Sequence, residues 1–156
     1  MIVDSSALLE QVTDDVIRSA FDSSGQRCSA LRVLCIQEEI YEELTEMIKG
    51  SMVIQEINDP NNFSADIGPI ISKNALKKLN DYISDCRENN LKVFQCESDF
   101  SETHVPPTLI EIDNISQIEE EQFGPILHVI KYKFNEIDKT INQINESGYG
   151  LTMGIH

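Results

Sequence analysis

The chain contains no tryptophan, and only 12 Lys and Arg residues stand against 27 Asp and Glu. The formal net charge of −15 argues against a nucleic-acid backbone as partner through this segment, because neutralising phosphates takes clustered cations. It equally disfavours attachment to an anionic membrane surface. Four cysteines are present, Cys28, Cys35, Cys86 and Cys96, with no Cys-x-x-Cys pair among them. A zinc centre therefore lacks its usual ligand spacing, and no metal is expected. The cysteines are also too sparse for a disulfide-stapled scaffold, so a reduced, cytoplasmic setting is expected. No apolar run reaches the ~20 residues of a membrane span. The start, Met1-Ile2-Val3-Asp4, has no basic stretch leading into an apolar one and does not read as a secretory signal. There is no Gly-x-Gly-x-x-Gly, no internal repeat and no low-complexity segment.

What is present is a chain of 156 residues, 40% hydrophobic and 25% charged, enough for one soluble domain with a real core. Apolar residues recur at helical spacing in four places. Val12, Val16, Ile17, Ala20 and Phe21 form one face, with Asp14 and Asp15 placed near the helix start. Ile40, Leu44, Met47 and Ile48 form a second, closed by Gly50. Leu76, Leu79, Ile83 and Cys86 form a third, with Ser72 as N-cap. Ile137, Ile141 and Ile144 form a fourth, with Asn135 as cap and Gly148 as stop. Between them lie apolar runs of strand length: Leu31 to Ile36, Lys92 to Gln95, Thr108 to Ile112, Ile126 to Tyr132 and Leu151 to Ile155. The first and fourth are nearly continuously apolar, as in strands covered on both faces. Alternation of the two kinds of segment predicts an α/β layered fold, a mostly parallel sheet with flanking helices. Ile2-Val3 reads as the tail of a strand and Gly150 to His156 as one barely begun, so both ends are expected to belong to something longer.

The chemistry concentrates at Phe21-Asp22-Ser23-Ser24-Gly25-Gln26-Arg27-Cys28-Ser29. A cysteine just past a glycine, between a helical pattern and a strand, sits on a turn that can project a thiol into a cleft. A neighbouring Arg27 suits the thiolate, the reactive form. The bland alternative is a buried apolar cysteine, which fits Cys35, Cys86 and Cys96 better than Cys28. A second cluster, Glu121-Gln122-Phe123-Gly124-Pro125, reads by itself as a polar turn ahead of a strand. His128 lies in the apolar run 126–132 and reads as a core histidine; His104 and His156 have no informative context. No Ser-His-Asp set is apparent.

These segments resemble motifs of the aldehyde dehydrogenase superfamily. Phe-x-x-x-Gly-Gln-x-Cys resembles its active-cysteine pattern and Glu-x-Phe-Gly-Pro its cofactor-contacting motif. Gly68-Pro69-Ile70-Ile71-Ser72, Val105-Pro106-Pro107-Thr108-Leu109 and Gly148-Tyr149-Gly150-Leu151-Thr152 resemble three further family segments, and all five occur in family order. Gly-Gln-Arg-Cys-Ser-Ala-Leu-Arg is most similar to the L-glutamate γ-semialdehyde (δ-1-pyrroline-5-carboxylate) dehydrogenases, in particular to the modules of bifunctional bacterial proline-catabolic proteins.

The resemblance implies oxidation of an aldehyde to a carboxylate with NAD, NADP not excluded. It makes Cys28 the nucleophile, forming a thiohemiacetal and then a thioester that water hydrolyses. It places Ser29, with Arg27, at the substrate, Ser29 on its α-carboxylate. It gives Glu121 the hydroxyls of the nicotinamide ribose, and Phe123 the nicotinamide itself. It further implies that residues 1–156 are a partial, cysteine-bearing catalytic domain. The dinucleotide-binding domain, the general-base Glu and the oxyanion-hole Asn would then lie elsewhere on a longer, homo-oligomeric polypeptide, and the isolated piece would be inactive. Three alternatives stand beside this: another aldehyde as substrate, a non-catalytic scaffold of the same fold, and, more weakly, a thiol redox protein using Cys35.

Overall fold

The structure is a computed structural model and describes residues 1–100 and 102–156. The elements run β1 (Ile2–Val3), α1 (Leu9–Phe21), β2 (Val33–Gln37), α2 (Tyr41–Val53), α3 (Lys73–Glu88), β3 (Lys92–Gln95), β4 (Thr108–Glu111), β5 (Ile126–Tyr132) and α4 (Ile137–Glu146). The strands form one sheet in the order β1-β2-β5-β4-β3. Three of its four pairings are parallel, and β3 joins β4 antiparallel at one edge. This is the mostly parallel sheet that helix–strand alternation suggests, with β3 as its one antiparallel edge.

The continuous apolar runs have the expected cause. In β2, Leu34 and Ile36 face one core while Cys35 faces the other; in β5, Leu127 and Val129 oppose Ile126 and Ile130. Period-two alternation thus feeds two cores through a single sheet. Helices α1 and α2 cover the first face with Val12, Val16, Ala20, Phe21, Leu44, Ile48 and Met52. Helix α3 covers the second with Leu76, Leu79, Ile83 and Cys86. Each fully buried aliphatic or aromatic side chain contributes about 1.5–3 kcal/mol, so these stripes fix which way each helix faces.

Several boundaries differ from the periodicity reading. Strand β2 starts at Val33 rather than Leu31, and β4 ends at Glu111 rather than Ile112. Helix α1 begins at Leu9, which leaves Asp14 and Asp15 in its middle and Glu10 as the acid of its first turn. Helix α2 continues through Gly50 to Val53; Gly50 is exposed with open space around its Cα, and a single glycine costs only ~1 kcal/mol inside a helix held by its packed face. Ser72 caps α3 as expected, its hydroxyl accepting from the Ala75 N–H at 3.2 Å. The N-cap of α4 is Glu136, one residue after the expected Asn135, because residues 134–136 form a tight helical turn first. Gly148, with φ +76, is the left-handed stop. Of the expected strand Leu151–Ile155 only Ile155 bridges, to Ile2, beside hydrogen bonds from the Ile2 N–H to Gly154 O and from the His156 N–H to Ile2 O. Among the described residues no helix is long and apolar enough to cross a membrane, and no group of three or more His, Cys, Asp or Glu side chains is placed to hold a metal ion.

Candidate active site

Helix α1 ends in a turn of unusual conformation. Ser23, Ser24 and Gly25 lie at φ 56, 55 and 63. Each left-handed non-glycine residue costs roughly 1–2 kcal/mol, and tertiary contacts hold the turn in place. The buried Ser24 hydroxyl accepts from the Gly68 N–H at 3.0 Å and donates to the Gly68 carbonyl at 2.8 Å. Gln26 repeats this two-point grip: its Nε2 donates to Pro69 O at 3.1 Å, and its Oε1 accepts from the Ile71 N–H at 2.9 Å. Together Ser24 and Gln26 bind the turn to residues 68–71, the approach to Ser72 and α3. This gives the Gly-Gln and Gly-Pro-Ile-Ile-Ser segments a shared physical purpose.

Cys28 follows on a turn closed by the Ala30 N–H donating to Arg27 O at 3.2 Å, and the Leu31 N–H ties that turn to Ser19 O on α1 at 2.9 Å. Cys28 is exposed, whereas Cys35 and Cys86 are buried and Cys96 is half-buried. Burial pushes the Cys35 thiol up to about 11, the behaviour of an inert core cysteine. The backbone N–H groups of Cys28 and Ser29 have no protein acceptor among the described residues. Both are thus free donors on the turn that carries the thiol.

The segment Glu121–Pro125 lies against this turn. A Cβ on Gly25 would fall 2.1 Å from Gly124 O, so the two motifs meet backbone to backbone. Arg32 spans the junction. Its Nε donates to Glu121 Oε1 at 3.2 Å, its Nη1 to Gly124 O at 3.2 Å and its Nη2 to Arg27 O at 3.0 Å. Its guanidinium also stands 5.0 Å from the centre of the Phe123 ring. Burial draws the Arg32 pKa below its usual value while the Glu121 carboxylate opposes the shift; an arginine stays charged even so. Glu121 is half-buried and Phe123 exposed. A partly open carboxylate beside an open aromatic face suits a ribose diol and a flat heterocycle, so these two residues fit the nicotinamide half of a dinucleotide.

Arg27 and Ser29 are both exposed and line a different opening, a cavity of about 420 Å³ shared with Met1, Asp15, Arg18, Ser19, Asp22, Ala30 and His156. Cys28 is not part of that lining, and neither Arg27 nor Ser29 reaches Glu121 or Phe123 by a hydrogen bond. The structure thus brings Arg27 and Ser29 to one cavity, while Glu121 and Phe123 meet through Arg32. His128 is a satisfied core residue: its Nδ1–H donates to Arg32 O at 3.0 Å, and its Nε2 accepts from the Tyr82 hydroxyl at 2.8 Å. Sequence reasoning passed over Arg32, Ser24 and Gln26. Arg32 and Gln26 stand in the Gly-Gln-Arg-Cys-Ser-Ala-Leu-Arg segment, but nothing in its spacing shows which acceptors they meet.

The geometry joins an exposed cysteine on a strained, glycine-dependent turn to a Glu-x-Phe-Gly-Pro segment, and the family model for the aldehyde dehydrogenase family matches residues 1–156. The chain belongs to that family. Among its relatives, the bifunctional protein PutA of Klebsiella aerogenes is 49% identical over 164 residues, covering 100% of this chain. The 1-pyrroline-5-carboxylate dehydrogenase of Geobacillus sp. (strain WCH70) is 30% identical over 155 residues, covering 97% of this chain and 30% of its own length. A crystal structure of bifunctional proline utilization A (PutA) superposes with a TM-score of 0.94 at 37% identity, covering 99% of this chain and 16% of that one. The chain spans 12% of the length of the Klebsiella aerogenes relative.

Proposed function

We propose that this chain is the cysteine-bearing part of the catalytic domain of an L-glutamate γ-semialdehyde dehydrogenase, which oxidises its substrate to L-glutamate in proline catabolism. The observation that carries the reading is the contact between the Cys28 turn and the Glu121–Pro125 segment, fastened by Arg32. The substrate is drawn from the names of the relatives, PutA and 1-pyrroline-5-carboxylate dehydrogenase.

Cys28 attacks the aldehyde carbon, and the N–H groups at its turn receive the oxyanion of the thiohemiacetal. NAD, or NADP, supplies the hydride acceptor when bound, held at its ribose by Glu121 and at its nicotinamide by Phe123. Cys28 then carries the acyl group as a thioester until an activated water releases it. Ser29, with Arg27 beside it, is assigned to the α-carboxylate of the substrate. The general base and the contacts to the rest of the dinucleotide are assigned to other parts of the same polypeptide. On this reading residues 1–156 alone do not turn over. A cytoplasmic, homo-oligomeric full-length protein is part of the same proposal, and the four free thiols suit its reducing setting.

The test uses the full-length polypeptide. Reduced-cofactor formation is followed with glutamate semialdehyde and with a simple aliphatic aldehyde, beside Cys28→Ala. Preference for the semialdehyde, abolished in Cys28→Ala, is the expected result. A folded protein that oxidises neither aldehyde, or a Cys28→Ala variant with full activity, would overturn the proposal.

A further inference from the structure

Arg32 is the last residue before β2, and its backbone is clamped to the sheet: its carbonyl accepts both the His128 N–H at 2.9 Å and the His128 Nδ1–H at 3.0 Å. His128 is itself fixed by Tyr82 of α3. The guanidinium therefore projects from a backbone held by the sheet, and only 14% of the side chain is exposed. Its donors go to three separate acceptors: Arg27 O in the thiol turn, Gly124 O, and Glu121 Oε1. Its guanidinium carbon also stands 5.0 Å from the centre of the Phe123 ring. An ammonium group has one donor centre and cannot span this set, whereas a planar fork can. Among the described residues Glu121 Oε2 has no protein partner, so Arg32 holds one carboxylate oxygen and leaves the other as an acceptor.

We infer that Arg32 is a positioning residue that sets the cofactor-contacting pair, Glu121 and Phe123, in register with the turn that carries Cys28. It acts in two separable ways. Through Glu121 and Phe123 it orients the groups that meet the ribose and the nicotinamide. Through Arg27 O, immediately before Cys28, it fixes the height of the thiol relative to them. The inference rests on the aldehyde dehydrogenase reading of Glu121 and Phe123. Arg32 touches neither substrate nor cofactor on this account.

The experiment compares Arg32→Met, Arg32→Lys, Glu121→Gln and the Arg32→Met/Glu121→Gln pair in the full-length polypeptide. NADH binding is read by its fluorescence, so that affinity is measured without turnover, and kcat is read separately. A wild-type protein that neither binds NADH nor oxidises an aldehyde sinks the proposed function itself. With an active wild type, Arg32→Met is expected to weaken NADH binding and to lower kcat, each by about tenfold or more, as misplacement of positioned groups does. Arg32→Lys keeps the ion pair with Glu121 but not the bonds to Arg27 O and Gly124 O. It is expected to bind NADH within about threefold of wild type while kcat stays depressed by about tenfold. In the Glu121→Gln background, Arg32→Met should cost less NADH affinity than it does alone, since part of its effect passes through Glu121. Wild-type affinity and kcat in both Arg32 variants, or losses of NADH affinity that simply add in the double variant, would overturn the inference. If Arg32→Met does not fold, Arg32→Lys decides: kcat within twofold of wild type refutes the role of the fork.

Discussion

Gly25 and Gly124, 99 positions apart in the chain, pack so closely that a Cβ on Gly25 would stand 2.1 Å from the Gly124 carbonyl oxygen and 2.9 Å from that of Ala20. Gly25 also sits at φ +63, so two independent constraints demand glycine. One is the left-handed backbone; the other is the approach of the thiol turn to the Glu-x-Phe-Gly-Pro segment. Gly25→Ala should therefore destabilise the fold by more than the ~1–2 kcal/mol of left-handed strain alone, because backbone must also move. Chemical denaturation with a loss below that value would mean that the two segments are not in contact in solution.

Ser24 separates strain from hydrogen bonding. Ser24→Ala loses both bonds to Gly68 while keeping the φ of 55, and should cost about 2 kcal/mol, with the half-buried Gly68 N–H and carbonyl left without their partner. Ser24→Gly loses the same bonds but relieves the backbone, and should be milder by about 1 kcal/mol. Denaturant midpoints of the two variants check this; equal losses would show that the left-handed conformation carries no strain here.

The four thiols should differ in reactivity. Cys28 is exposed, Cys35 and Cys86 are buried, and with Cys35 held near 11 only ~0.1% of it is thiolate at pH 8. Iodoacetamide labelling followed by peptide mass mapping should modify Cys28 first, by at least about tenfold over Cys35 and Cys86. Preferential labelling of either buried thiol in the folded protein would contradict the site.

His128 makes stability depend on pH. Burial holds its imidazole neutral down to about 4, against 6.5 for the free side chain. Above 6.5 neither state is protonated, and the neutral histidine contributes fully. Between 6.5 and about 4 the unfolded chain takes up a proton that the folded one refuses, so stability falls as the pH falls. Below about 4 both states are protonated and the loss is complete, amounting to ~3 kcal/mol. The difference in unfolding free energy between wild type and His128→Gln, followed from pH 7.5 to 4, should shrink by roughly this amount. A difference that stays constant with pH would place His128 in solvent.

Much of the fold was legible because period-two and helical periodicities survive in a sheet buried on both sides. Val12 to Phe21 and Leu76 to Cys86 pointed to helices that pack as expected, and Ile126–Tyr132 is a strand from end to end. Less legible were the points where packing outweighs local preference, such as Gly50 inside α2 and the antiparallel edge strand β3.

The sequence by itself determined the α/β layering, the ordered family motifs and the placement of Cys28 past a glycine, since each depends on residue type and short-range spacing. Only the tertiary structure decided that Arg32 joins Arg27, Gly124, Glu121 and Phe123, and that Arg27 and Ser29 open onto a separate cavity. The reason is distance along the chain. Arg32 and Glu121 are 89 residues apart, and no local pattern records which acceptors a guanidinium meets once β2 and β5 are laid side by side.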